Sequence, residues 1–169
     1  MSDFPSKVAT ETHAPHSQGT TVGAMIDIAF LKSIPAIITL ANILLGLIHW
    51  ALIVSTPAVY TPPYGWVLFV AITLWILTIV VFFVILFGVY RSLPSVPWSL
   101  VIMIYFAVAT VLYLTAFVTN AVYVFRINEL GAAAFFAVVV TLLYGASTFF
   151  AYVNWRNEGA NAATTTVPT

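Results

Sequence analysis

Polar residues recur along one apolar segment in the first third of the chain, and they are the first candidates for chemistry. Thr39, Asn42, Gly46 and His49 are separated by steps of three or four residues, which places them on one face of a helix. A single histidine without a carboxylate or a second histidine is a poor metal or acid–base site. The stripe therefore predicts packing and hydrogen bonding between helices, with a polar pore lining or a lipid-headgroup site as the alternative.

A second stripe, made of small residues, lies in the last third of the chain and carries no reactive group. It consists of Ala134, Ala137, Thr141, Gly145 and Thr148. Steps of three or four residues again define one helix face, and small side chains allow two helix backbones to approach closely. This pattern predicts close packing within one bundle or self-association between copies of the chain, and both uses remain open.

The sequence lacks the residue clusters that enzymes use for catalysis. It contains no cysteine, which excludes disulfides, thiolate metal sites and cysteine nucleophiles. It has no phosphate-binding loop, no zinc-protease motif and no pair of carboxylates at helical spacing. We therefore expect no catalytic residue, no cofactor and no metal, and a membrane enzyme is the least favoured of the functional hypotheses.

The composition indicates that these stripes belong to elements surrounded by lipid. Of the 169 residues, 62% are hydrophobic and 6% are charged, whereas a typical soluble domain is about 25% charged. A soluble chain of this size could not bury so much apolar surface, so lipid is its natural solvent. The formal net charge is +0, which gives no indication of a nucleic-acid partner.

Hydropathy and helix-breaking residues divide the chain into four predicted spans, at about 34–54, 67–89, 99–124 and 132–153. The uncharged run over residues 33–90 is too long for one crossing, which takes about 20 residues. Pro57, Pro62 and Pro63 divide it, since proline interrupts a helix. The connections are short, which favours antiparallel neighbours. The sequence predicts an all-α membrane protein with an antiparallel four-transmembrane-helix bundle over residues 25–155, between a disordered tail at 1–24 and a polar tail at 156–169.

The distribution of basic residues predicts how the bundle is oriented in the membrane. Lys7, Lys32, Arg91 and Arg156 fall on one side, and Arg126 falls on the other. Cytoplasmic segments carry the excess of Lys and Arg, so both termini are expected in the cytoplasm. The segment 24–32 is either an interfacial helix or an ordinary basic flank.

Aromatic side chains near the ends of the spans are expected to anchor the bundle at headgroup depth. The predicted outer anchors are Tyr60, Tyr64 and Trp66, and the predicted cytoplasmic anchors are Tyr90, Trp98, Tyr152 and Trp155.

Several stretches resemble one family of four-span proteins. They are FPSKV (Phe4–Val8), LGLIHWALIVSTP (Leu45–Pro57), YGWVLFVAITLWILTIV (Tyr64–Val80), VPWSLVIMI (Val96–Ile104), ATVLYLTAF (Ala109–Phe117) and NAAT (Asn161–Thr164). Together they resemble the MAL-related MARVEL-domain proteins over nearly the whole chain. The resemblance implies a four-helix MARVEL-like bundle in plasma membrane, apical or myelin, and in endosomes. It also implies a non-enzymatic role in organising ordered, cholesterol- and sphingolipid-rich membrane and in vesicle or apical sorting.

The same resemblance implies which partners to expect: membrane lipids, further copies of the chain in a homo-oligomer, and trafficking adaptors or cargo. Two functional hypotheses from different classes therefore stand. The first is a membrane organiser that acts by self-association. The alternative is an oligomeric ion channel or pore that uses the polar stripe from Thr39 to His49 as its lining.

Overall fold

The computed structural model describes residues 28–93, 95–124 and 130–165, so the predicted disordered tail at 1–24 lies outside the described residues. The helices are α1 (Ile28–Leu31), α2 (Ile34–Val54), α3 (Pro62–Leu86), α4 (Trp98–Val124) and α5 (Gly131–Thr165), and there are 3-10 turns at Pro57–Tyr60 and Val89–Ser92. The helices α2, α3, α4 and α5 are each long and apolar enough to cross a membrane. The prediction of an all-α protein with four spans is confirmed.

Proline begins two of the spans. In α2, the hydroxyl of Ser33 accepts a hydrogen bond from the Ala36 amide at 3.4 Å, and Pro35 occupies the first turn. In α3, Pro62 and Pro63 are themselves the first helical residues. The sequence prediction placed this start at about residue 67. The helix begins earlier because the first amides of a helix have no intrahelical partner, so proline loses nothing there.

The end of α3 is set by a glycine rather than by the following arginine. Gly88 has φ 63° and ψ 23°, the left-handed conformation, which costs glycine little because it has no Cβ. Its amide donates to the Ile85 carbonyl at 3.0 Å. The regular helix consequently ends at Leu86, three residues before the predicted end of the span.

The last helix continues well past its apolar part. The prediction gave a span to about residue 153 and a polar tail from residue 156, but α5 runs through to Thr165. At about 1.5 Å per residue, its 35 residues measure about 52 Å, against a hydrocarbon core of about 30 Å. The alanines at 160, 162 and 163 favour continuation of the helix, so the polar C-terminal turns extend it beyond the bilayer core.

The four long helices form a ring in which each contacts the next in sequence and α5 closes against α2. The start of α3 meets the end of α4, where Tyr64 contacts Asn120. The first half of α2 meets the middle of α5, where Asn42 contacts Ser147, and Pro35 nearer the start of α2 lines the same cavity as Asn154 further along α5. Neighbouring helices are therefore antiparallel. The largest fully buried side chains include Tyr64, Tyr113 and Tyr144, so much of the central core consists of aromatic residues that carry hydroxyl groups.

The outer surface of the ring is apolar, as a lipid-facing surface must be. Its exposed side chains include Val111, Val122, Phe135, Leu142 and Phe149, each more than 60% exposed. Polar residues of the spans are concentrated inside, and that interior is the part of the molecule where chemistry or specific packing can occur.

Candidate functional site: a polar core and an end cavity

The stripe on α2 faces the interior of the bundle. Thr39, Asn42, Gly46 and His49 are all buried. The Thr39 hydroxyl donates to the Pro35 carbonyl at 2.8 Å, a bond within its own helix. The Asn42 amide nitrogen donates to the Ser147 hydroxyl on α5 at 3.3 Å. These contacts place the stripe in helix–helix packing rather than on the outer surface.

Gly46 lies under an indole ring of α3. A Cβ added at Gly46 would lie 3.5 Å from Cδ1 of Trp75, which is ordinary van der Waals contact. The Trp75 indole nitrogen donates to the Ile43 carbonyl of α2 at 2.9 Å. Trp75 therefore packs beside Gly46 and bonds the α2 backbone, with room for a methyl group but not for a large side chain at residue 46.

The centre of the bundle contains two hydrogen bonds that cross between opposite helices. Nδ1 of His49 on α2 lies 2.7 Å from the Tyr113 hydroxyl on α4. The Thr78 hydroxyl on α3 lies 2.7 Å from the Tyr144 hydroxyl on α5 and 2.7 Å from the Tyr105 hydroxyl on α4. The Leu74 carbonyl also lies within hydrogen-bond distance of the Thr78, Tyr105 and Tyr144 hydroxyls, at 2.7, 3.2 and 3.5 Å. The central polar groups therefore hold all four spans together.

At the other end of the core, Tyr64 occupies a position that corrects the sequence prediction. It was expected to anchor the bundle at headgroup depth, but it is 1% exposed and its hydroxyl donates to the Asn120 side-chain oxygen at 3.1 Å. A helix that starts at Pro62 directs Tyr64 inward, on the face that also buries Val67 and Ala71. Its hydroxyl then needs an internal partner, which α4 supplies.

The other predicted anchors lie at or near the outer surface. Tyr60 is 89% exposed, Trp66, Tyr152 and Trp155 are exposed, and Tyr90 and Trp98 are half-buried. The Trp66 indole donates to the Thr115 hydroxyl at 3.3 Å, and the Trp98 indole donates to the Leu93 carbonyl at 3.1 Å. Their role as membrane anchors stays a prediction.

The small-residue stripe on α5 is divided between the interior and the surface. Ala137 and Thr141 are buried, whereas Ala134, Gly145 and Thr148 are half-buried. The Thr148 hydroxyl lies 3.0 Å from the Thr110 hydroxyl of α4. A Cβ added at Gly145 would meet no neighbouring group within 4 Å. Gly145 therefore leaves an open notch on the bundle surface, while Ala137 and Thr141 of the same stripe pack inside.

The sequence did not lead us to predict the hydrogen-bond partners in this core. Tyr113, Tyr144, Ser147, Thr78 and Asn120 are all buried at 4% exposure or less. A signal existed: each is a hydroxyl or amide side chain within a span, and such groups bond across helices when lipid surrounds the bundle. The sequence prediction assigned tyrosines only to headgroup anchoring, so the core positions of Tyr113 and Tyr144 were not predicted.

Several buried polar atoms have no hydrogen-bond partner among the described residues. They are Oδ1 of Asn42, Nε2 of His49, Nε1 of Trp50 and the side-chain nitrogen of Asn120. Such atoms are uncommon in a packed interior. Three of the four, on Asn42, His49 and Asn120, belong to side chains whose other polar atom makes a bond between helices.

A cavity of ≈ 520 Å³ opens at the end of the bundle where α2 begins. Its wall includes the apolar side chains of Ile102, Phe106 and Phe150, and its inner end includes the buried hydroxyls of Thr39 and Ser147. This volume falls within the range of small-molecule sites, about 300–1,000 Å³. The arrangement can hold a molecule that is apolar along one part and polar at its ends.

Over residues 28–93, 95–124 and 130–165, no three His, Cys, Asp or Glu side chains come together, so this part of the chain offers no metal site. His49 contacts a tyrosine, not a carboxylate. The arrangement of the core is suited to holding helices together and that of the cavity to binding.

This fold and this polar core define the class of the protein as a four-span helical membrane protein. The family model described as a membrane-associating domain, MARVEL, matches residues 30–150, and the chain belongs to the MARVEL family. It is 49% identical to plasmolipin of Danio rerio over 99% of both chains. It is 45% identical to plasmolipin of Homo sapiens, covering 97% of this chain and 96% of that protein.

A more distant similarity extends to another branch of the family. The chain is 36% identical to the CKLF-like MARVEL transmembrane domain-containing protein 8 of Homo sapiens, over 78% of this chain and 80% of that protein. No solved structure matches the chain significantly.

Proposed function

We propose that this protein organises ordered lipid domains and contributes to membrane or vesicle sorting, without catalysis, through association of its four-helix bundles. The proposed setting is plasma membrane, apical or myelin, and endosomes, with both termini in the cytoplasm. The partners are cholesterol- and sphingolipid-rich lipid, further copies of the chain, and trafficking adaptors or cargo. The similarity to plasmolipin supports this choice among four-span functions.

The observation that carries the proposal is the apolar, uncharged exterior of the spans, two of which are longer than the about 20 residues that a crossing needs. The helices α3 and α4 contain 25 and 27 residues, about 37 and 40 Å at 1.5 Å per residue, and neither contains a charged residue. A hydrophobic stretch longer than the local hydrocarbon thickness tilts or favours a thicker bilayer. Ordered domains are the thicker phase, so the bundle is expected to concentrate in them.

Association between bundles would use the notch at Gly145. Membrane helices associate through close packing of small residues, since lipid provides no hydrophobic force between them. An apolar surface with an open notch is suited to receive a side chain from another copy. Thr148 and Thr110 bond to each other beside it, which leaves few unsatisfied polar groups at this surface.

Phase-separating giant vesicles test the proposal. The labelled protein is expected to concentrate in the ordered phase, and Gly145→Leu is expected to reduce self-association, measured by energy transfer between labelled copies. Gly65→Leu is the matched control, because a Cβ at Gly65 also meets nothing within 4 Å. Equal distribution of the protein between the phases, with no energy transfer, would reject the proposal.

An ion channel or pore is the second candidate. The buried polar residues in the segment from Thr39 to Asn120 favour a pore. Together they extend along the bundle, and they include polar atoms without a partner among the described residues. Because Asn42 and His49 face the inside of one bundle, the path would run through a bundle rather than between copies. Planar-bilayer recordings decide: conductance that His49→Ala and Asn42→Leu both leave unchanged removes this candidate, and Tyr60→Phe is the exposed control.

A further inference from the structure

We propose that the end cavity is a binding site for an aminophospholipid of the ethanolamine type, which places its ammonium group at the Glu158 carboxylate and one acyl chain along the Ile102–Phe106–Phe150 wall. This site does not depend on self-association, because one bundle supplies every wall. The Gly145 notch is not among the residues that line it.

Charge at the rim favours a cationic group. Glu158 is exposed at the rim, and its two oxygens accept from the Ser99 hydroxyl and from the Asn154 amide at 3.3 Å. A carboxylate has about four acceptor positions, so roughly half of its capacity remains. Neither Lys nor Arg lines the cavity within the part of the chain that the structure describes. A primary ammonium supplies both the charge and the N–H donors that this carboxylate still accepts.

Aromatic rings at the rim also favour a cationic headgroup, and Tyr90 already contacts Arg91, which does not line the cavity. Tyr90 and Trp98 line the cavity, and aromatic rings at this depth attract cations over their faces. The Arg91 side chain donates to the Tyr90 hydroxyl at 3.0 Å. Among the described residues, the formal charge on the cavity wall is that of Glu158. A headgroup that carries an ammonium group matches this negative charge better than a headgroup with only a negative charge.

Depth in the bilayer favours a lipid over a soluble amine. The rim includes Asn157 and Glu158, in the polar turns that follow the apolar part of α5, and the wall continues inward through Ile102 and Phe106 to buried Thr39 and Ser147. Next to Ser147 lies Asn42, which is 1% exposed. Its Oδ1 has no hydrogen-bond partner among the described residues. A glycerol or ester group bonding Ser147 would extend the Asn42–Ser147 contact. The charge distribution predicts that this end is cytoplasmic.

Native mass spectrometry of the purified full chain provides the test. The protein is exchanged from detergent into equal mixtures of phosphatidylethanolamine and phosphatidylglycerol, and retained lipids are counted. The wild type is expected to retain ethanolamine lipid about tenfold over glycerol lipid, which corresponds to about 1.4 kcal/mol. Glu158→Gln is expected to remove that preference. Ala151→Phe, which adds a ring to the cavity wall, is expected to lower retention of both lipids.

The controls separate this site from the association proposed above. Arg156→Gln changes an exposed charge on the same helix outside the cavity wall and is expected to leave the preference intact, as is Gly145→Leu. Helical content is checked by circular dichroism for every variant. Retention unchanged in both Glu158→Gln and Ala151→Phe overturns the site. Displacement of the lipid by soluble phosphoethanolamine at millimolar concentration overturns the assignment to a lipid.

Discussion

Nδ1 of His49 and the hydroxyl oxygen of Tyr113 lie 2.7 Å apart and join α2 to α4, the helix opposite it in the ring. The Thr78–Tyr144 bond joins the other opposite pair, α3 and α5. The Tyr113 and Tyr144 rings are in contact, with centroids 5.4 Å apart. The two diagonal bonds thus meet at one aromatic pair, which explains how a bundle in lipid, with little hydrophobic drive between its helices, fixes one arrangement.

The first prediction concerns this diagonal bond. Tyr113→Phe is expected to lower the free energy of unfolding by about 0.6–1.7 kcal/mol, the range for hydrogen bonds between membrane helices. His49 would lose the partner of Nδ1 while Nε2 is already unpartnered. Unfolding in mixed micelles measures the change, and the exposed Tyr152→Phe serves as control. An equal loss in both variants would contradict the assignment of the bond to stability.

The second prediction concerns the Thr78 hydroxyl, which is hydrogen-bonded to both Tyr105 and Tyr144. Thr78→Val keeps the shape of the side chain but removes the oxygen that Tyr105 and Tyr144 both contact. We expect a loss of about 0.5–1.5 kcal/mol, the net worth of a typical hydrogen bond, because both tyrosine hydroxyls keep the Leu74 carbonyl as an acceptor. Tyr105→Phe removes only one hydroxyl group of this network and is expected to lower the free energy of unfolding by less than Thr78→Val does. The same unfolding measurement ranks the two variants, and the reverse order would contradict this reading of the network.

The element types were predictable because lipid and helix-breaking residues leave strong signals. A charge-free run from residue 33 to residue 90, divided by Pro57, Pro62 and Pro63, predicts two spans whatever the details of packing. Boundaries were less predictable: Pro62 is compatible both with ending a loop and with starting a helix. Gly88 ends α3 by adopting the left-handed conformation itself, and a glycine in the sequence permits that conformation without requiring it.

For each contact in the polar core, only one of the two residues could be predicted from the sequence. The spacing of Thr39, Asn42 and His49 defined a helix face, but their partners Ser147 and Tyr113 lie on other helices, at sequence separations of 105 and 64 residues. A periodicity argument works within one helix and gives no information about which helix lies opposite. Tyr64 shows the same limit, since a shift of the helix start turns an expected anchor into a core residue.

The third prediction concerns the contact between Gly46 and Trp75. Gly46→Ala is expected to be nearly neutral, because the added Cβ would lie at an ordinary contact distance of 3.5 Å from the indole. Gly46→Leu would displace Trp75 and is expected to cost about 1–3 kcal/mol. The free energy of unfolding is the readout. Trp75 fluorescence is not used, because the four other tryptophans contribute to the same signal. Similar losses for Ala and Leu would refute the packing argument.

The fourth prediction concerns the left-handed turn after α3. Gly88→Ala is expected to destabilise the fold by about 1 kcal/mol, since a Cβ opposes φ 63°. Gly88→Asn is expected to cost less, because asparagine tolerates this conformation better than alanine does. Gly65→Ala, at a glycine outside that conformation, is the control. Alanine and asparagine variants of equal stability would show that the conformation at residue 88 is not what limits substitution.

The fifth prediction concerns the orientation of the bundle, on which the position of the end cavity depends. The chain has no cysteine, so each introduced cysteine reports alone without further changes. Tyr60→Cys, at a residue that is 89% exposed between α2 and α3, is expected to react with a membrane-impermeant maleimide on intact cells. Leu93→Cys and Asn157→Cys, both exposed on the opposite side, are expected to react only after the membrane is permeabilised. Labelling of Asn157→Cys on intact cells would place the Glu158 rim in the outer leaflet, and the ethanolamine headgroup would then have to reach the cavity from that side.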